Sequence, residues 1–181
     1  MSRVNSLLCF YVGEKEKFNM GQLTLSDIQK QVAELDKKEK FYLDKENDQF
    51  IYYYPKFSED RINEVFEELI STSKYCKENK MNKLQTDDQV TEYLQFLIIK
   101  HFTSLNDELV NESFDTHYRT MKALGKNGLH RVFLDHMFDS AEVIKVLKRK
   151  NEVEKLAELV MIELEKDERN KDRPLQVLGK E

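Results

Sequence analysis

Residues 90–102, VTEYLQFLIIKHF, constrain the fold more than any other part of the chain. Wound as a helix, this segment brings Val90, Leu94, Leu97, Ile98 and His101 to one side, while Phe96, Ile99 and Phe102 cover much of the remaining circumference. A helix that is apolar nearly all round has no face to offer water, so neighbouring elements must enclose it. Thr86 followed three residues later by Gln89 supplies a capping box at its start. The spacing therefore predicts a central helix over 87–104, and the rest of the chain has to supply its surroundings.

Those surroundings read mainly as helix. Residues 24–36, TLSDIQKQVAELD, pair Ser26 with Gln29 as a second capping box and align Ile28, Val32 and Leu35 on one face. Two aromatic-rich runs, KFYLDKE and QFIYYYP, flank Asn47-Asp48 and predict a β-hairpin over about 39–55, ended by Pro55. A lone hairpin is marginal in water, so its Phe41, Leu43, Phe50, Tyr52 and Tyr54 side is expected to rest on helices or on a second copy of the chain. Ser58 is a helix N-cap, with Phe57 and Ile62 placed as a hydrophobic staple, and Ile62, Val65, Phe66, Leu69 and Ile70 make one apolar stripe. Residues 74–85 read as a loop and 112–124 as a weaker helix, followed by a turn at Gly125–Gly128. Leu129, Val132, Phe133 and Met137 form a short helix, and Asp139 with Glu142 opens the last one, expected to run to about 168. The fold class is mainly α: a single helical domain over 20–168, of five to six helices with one short N-terminal β-hairpin, then an unordered tail over 169–181.

Residues 1–19 carry two readings. They are either a leader or unordered segment ahead of a natural start at Met20, for which the Lys-Glu codons before it could spell a ribosome-binding sequence, or an ordered N-terminal strand or helix. The run LLCFYV at 7–12 is too short to span a membrane. Cys9 and Cys76 have neither CxxC spacing nor the density of a secreted disulfide framework, which favours the cytoplasm.

Charge narrows the partners. The 29 Lys and Arg are interspersed with 34 Asp and Glu for a net charge of -5, which argues against a nucleic-acid footprint, since that needs basic groups concentrated on one surface. The densest basic stretch, Lys145, Lys148, Arg149 and Lys150, reads as a solvated helix face.

Chemistry-bearing motifs are lacking in the sequence: it holds no Gly-rich phosphate loop, HExxH or nucleophile elbow. His130 and His136, six residues apart, lean to different helix faces, and His101 on the central helix reads as a buried, hydrogen-bonded core residue. Glu67-Glu68 and Asp87-Asp88 are adjacent pairs read as solvated or as first-turn acids. No catalytic residue, cofactor or metal is expected. The informative surplus is apolar. In the last helix Val153, Leu156, Ala157, Val160 and Leu164 complete one stripe, whereas Leu159 and Ile162 fall on another side. These two, with Tyr52 and Tyr54 of the hairpin, are the candidate partner-binding residues.

The order of elements also carries a family likeness. The hairpin ends in YPKFSEDRINEVFEEL, the central helix carries YLQFLIIKHFTSL, short helices surround ALGKNGLHRVFLDHMF, and SAEVIKVLKRKNEVEKLAELV closes the set. Over about residues 40–165 this resembles the tail assembly chaperones of long-tailed bacteriophages and prophages of Gram-positive bacteria. The resemblance implies a non-enzymatic protein of the bacterial host cytoplasm that masks apolar helical segments of a tape-measure protein and self-associates. The C-terminal Leu178-Gly179-Lys180 is compatible with a G-GGA-AAA slippage heptamer, as used for longer products of such genes. An alternative of another class is a regulatory protein of a mobile element, such as an antirepressor or an inhibitor of a host defence enzyme.

Overall fold

The computed structural model describes residues 23–153 and Lys155. The first helix, α1 (Leu25–Leu35), is opened by a capping box between Thr24 and Asp27 rather than Ser26 and Gln29. Thr24 has the extended backbone of an N-cap, and its hydroxyl accepts the Asp27 N–H at 3.3 Å while the Asp27 carboxylate accepts the Thr24 N–H at 3.1 Å. Ser26 falls inside the first turn, where its side chain has no cap to make.

Strands β1 (Glu39–Asp44) and β2 (Gln49–Tyr53) pair antiparallel, as the sequence predicts, but β2 presents the opposite face. Had pairing continued evenly from Asp44–Gln49, Leu43 would lie opposite Phe50 and Phe41 opposite Tyr52, which is the face the sequence implies. The register instead shifts between Tyr42 and Asp44, so that Phe41 pairs with Ile51 and Glu39 with Tyr53. One extra residue in one strand reverses which side chains of its partner face inward. Phe41, Ile51 and Tyr53 consequently meet the core, and Tyr42, Phe50 and Tyr52 form an outer aromatic face.

The far edge of β2 is occupied within the chain. Tyr54 N–H donates to the Phe102 carbonyl and Ser104 N–H to the Tyr52 carbonyl, both at 2.9 Å, with a bridge between Tyr53 and Thr103. The hairpin is thereby docked on the end of the central helix.

Helix α2 (Glu59–Glu78) begins at the Ser58 cap with Phe57 and Ile62 both buried as the staple requires. It runs five residues into the stretch read as a loop, because Cys76 continues the buried stripe, and the loop proper starts only at Asn79. Helix α3 (Asp87–His101) has the predicted Thr86–Gln89 box and is buried at Tyr93, Leu94 and every position from Phe96 to His101. Replacing Thr86 by alanine should lower stability by about 1 kcal/mol in urea denaturation, the usual loss for an N-cap hydroxyl.

Short α4 (Leu105–Leu109) leads to α5 (Phe114–Lys126), capped by Ser113. Gly125 lies within α5, and the residue that reverses the chain is Gly128, whose φ of 78° lies in the left-handed region that glycine adopts freely. The predicted short helix divides into α6 (Leu129–Val132) and a π-turn, Phe133–Met137. The last helix, α7, occupies 140–153 of the described residues and starts on Asp139, whose carboxylate accepts the Ala141 N–H at 2.9 Å.

The basic stretch of α7 is not simply a solvated face. Lys150 is buried and donates to Asp87 at 2.7 Å and Thr91 at 3.1 Å, tying α7 to the start of α3. Lys145 donates to the Phe57 carbonyl at 2.9 Å, while Glu142 accepts the Phe57 N–H at 3.3 Å. No helix among the described residues is long and apolar enough to cross a membrane.

Candidate functional site

Glu68 sits at the margin of the α2 stripe, one residue before Leu69 and three after Val65, and turns toward the last turn of α3. Only 20% of its side chain is exposed. Both of its oxygens accept from Lys100 Nζ at 2.7 Å, and Oε2 lies 2.7 Å from His101 Nε2. On its other side, Oε1 is 3.2 Å from His117 Nδ1, in the first turns of α5. His117 Nε2 donates to the Leu109 carbonyl at 2.8 Å, so both ring nitrogens face oxygen acceptors. One carboxylate thus joins α2, α3 and α5, and through His117 reaches α4.

Burial by itself would raise the Glu68 pKa. Hydrogen bonds from His101, His117 and Lys100, together with the Lys100 charge, overrule it and hold the carboxyl well below the usual carboxylate range. Glu68 is therefore an ionised anchor rather than the solvated acid the Glu67-Glu68 pair suggests. His101 is the buried, hydrogen-bonded residue the sequence predicts. The hub opens on a cleft of about 630 Å³, rimmed by Glu64, Glu67, Ser71, Asn106 and Val110. Among the described residues no group of three His, Cys, Asp or Glu is arranged to hold a metal ion.

The candidate partner-binding residues separate. Tyr52 is on the outer aromatic face of the hairpin, stacked edge-on with Phe50 at 5.3 Å. Tyr54 is buried, with the Arg61 guanidinium 3.8 Å from its ring centre, so its surface is spent inside the chain. Leu159 and Ile162 lie outside the described residues.

A second apolar surface is on α1. Leu25, Ile28 and Val32 are 71, 43 and 51% exposed, and α1 buries none of its residues. The Ile28-Val32-Leu35 spacing marks this face in the sequence, but periodicity alone cannot tell a face turned to a core from one left open.

Neither a curated protein nor a solved structure matches the chain. A family model described as YomO matches residues 25–175, a span that takes in α1, the hairpin and the Glu68 hub; the chain belongs to the YomO family, a family of phage type, and is a phage-associated protein.

Proposed function

We propose that the chain is a phage tail assembly chaperone, which binds and covers apolar helical segments of the tape-measure protein before the tail tube is built. The supporting observation is the open apolar face of α1. An 11-residue helix is marginal on its own in water, and a helix that buries none of its residues gains little from its own domain. Covering Leu25, Ile28 and Val32 with a partner helix would contribute on the order of 1.5–3 kcal/mol for each side chain fully removed from water. A tape-measure protein presents long apolar helices that aggregate when uncovered, and helix-on-helix contact with i, i+3, i+4 anchors is the matching mode. The outer hairpin aromatics Tyr42, Phe50 and Tyr52 offer a second surface, suited to self-association.

Co-expression with the neighbouring tape-measure gene tests this. The partner should become soluble and co-purify, and Ile28→Asp with Val32→Asp should abolish both effects while shifting the thermal midpoint of the free protein by little, as exposed substitutions do. A partner that is equally soluble alone and never co-purifies refutes the reading.

A further inference from the structure

We propose that β1 is a docking edge for a second copy of this chain, the two β1 strands pairing antiparallel about a two-fold axis at Phe41 so that both hairpins form one sheet. The edge is found by following the backbone hydrogen bonds of the hairpin. The Tyr54 N–H and the Tyr52 carbonyl point to the Phe102–Ser104 segment. Backbone groups alternate in direction along a strand, so those of Ile51 and Tyr53 point to β1, where they meet Phe41 and Glu39. The N–H and carbonyl groups of Lys40 and Tyr42 therefore point the other way, and no described residue pairs with that side of β1. A row of unpaired backbone groups along a strand is a template for another strand.

The length and symmetry of this edge select a second copy as its occupant. After Tyr42 the register shift turns Asp44 back toward Gln49, and ahead of the strand Lys38 is held by Asp107 at 3.6 Å and lies over the Tyr54 ring. A long extended segment of another protein would leave most of its own backbone groups unpaired on so short an edge. A second β1 matches it: Lys40 of each copy lies opposite Tyr42 of the other, and every outward N–H finds a carbonyl. Opposed residues of an antiparallel pair share a face, so each Tyr42 meets a lysine of the other copy on the outer side, where a cation and an aromatic ring attract. The outer aromatic face of Tyr42, Phe50 and Tyr52 then runs on from one copy into the next. A lysine often guards a free edge. Here the Lys40 ammonium is drawn back over its own Phe50 ring, 4.0 Å from the centre, which leaves the backbone uncovered. On the inner side the two half-buried Phe41 side chains meet at the axis. This pairing gives a mode to the self-association proposed above, rests on that part of the reading alone, and needs no tape-measure protein.

The test uses the full chain alone, by sedimentation and by amide hydrogen exchange over a range of protein concentration. So short an edge makes an interface smaller than a standard one, and the dimer should half-form between about 10 μM and about 1 mM. In dilute solution the Lys40 and Tyr42 amides should exchange freely while those of Phe41 and Tyr53 are protected; at high concentration Lys40 and Tyr42 should slow by about tenfold or more. Tyr42→Lys leaves the backbone intact and sets lysine against Lys40 of the other copy, twice per dimer, and should weaken association about tenfold. Lys40→Pro deletes an N–H that bonds to nothing within the chain, so it should suppress the dimer with little shift in the thermal midpoint of the monomer. A chain that stays monomeric at the highest concentration, Lys40 and Tyr42 amides protected at every concentration, a dimer in which they stay unprotected, or a dimer unchanged by Tyr42→Lys would each overturn the assignment. None of these results bears on whether a tape-measure protein co-purifies, so the two readings fail separately.

Discussion

Glu68→Ala should cost the fold roughly 3–5 kcal/mol, the loss typical of breaking a buried ion pair from one side. The substitution leaves Lys100 buried with its charge unanswered and removes the acceptor shared by His101 and His117, so three side chains, two on α3 and one on α5, lose their common partner on α2. Glu68→Gln keeps the shape and one acceptor oxygen, and should recover only part of the loss. Acid provides a separate signature. Because the folded-state pKa of Glu68 is depressed, the unfolded chain takes up this proton first, and the contribution of Glu68 is fully present above the ordinary carboxylate pKa of about 4.3. It then declines as the pH falls toward the lower folded value. Denaturant midpoints of the natural chain and Glu68→Gln should keep a constant gap from neutral pH to about pH 5, and the gap should narrow below about pH 4. A gap that stays constant to pH 3 would show that Glu68 is not an ionised anchor.

The hub also shows where sequence reading stops. Caps and stripes are local, which is why Thr86–Gln89, the Ser58 cap and the enclosed α3 could be read directly. The face of β2 could not, since a register shift beside Leu43 reverses it and nothing in the alternation of Phe50 to Tyr54 announces that shift. Glu68 was hidden for a related reason: beside Glu67, on a helix with many acids, it looks like one more solvated carboxylate. Its signal lay on the other element. Lys100 and His101 end a helix that is otherwise enclosed on all sides, and a lysine there needs a counter-charge from a neighbour. Lys150 hides in the same way within a basic run, and its need for Asp87 becomes visible only when α7 is seen to cross the start of α3.

Phe102→Ala should destabilise the protein by about 3–5 kcal/mol, at a point where the hairpin, α2, α3 and α7 meet. The Phe102 ring is fully buried and stacked on Phe57, with centroids 3.6 Å apart and planes inclined by 12°. Phe138 closes the other side, edge-on to Phe57 at 5.2 Å. The Phe102 carbonyl accepts the Tyr54 N–H, and the Phe57 backbone is held at both its N–H and carbonyl by Glu142 and Lys145. A cavity here cannot close easily, because hydrogen bonds to other elements fix the backbone on either side of the stack. Phe102→Leu fills most of the space and should cost distinctly less, and combining it with Phe57→Leu should give less than the sum of the two single losses, since the stacking contact is lost only once. Amide exchange separates this local role from a general loss of core. In the Phe102→Leu chain the Tyr54 and Ser104 amides, which join β2 to the end of α3, should lose protection before the amides in the middle of α3 do. Equal loss at both places would mean that the hairpin and the central helix unfold as one unit, with no weak seam between them.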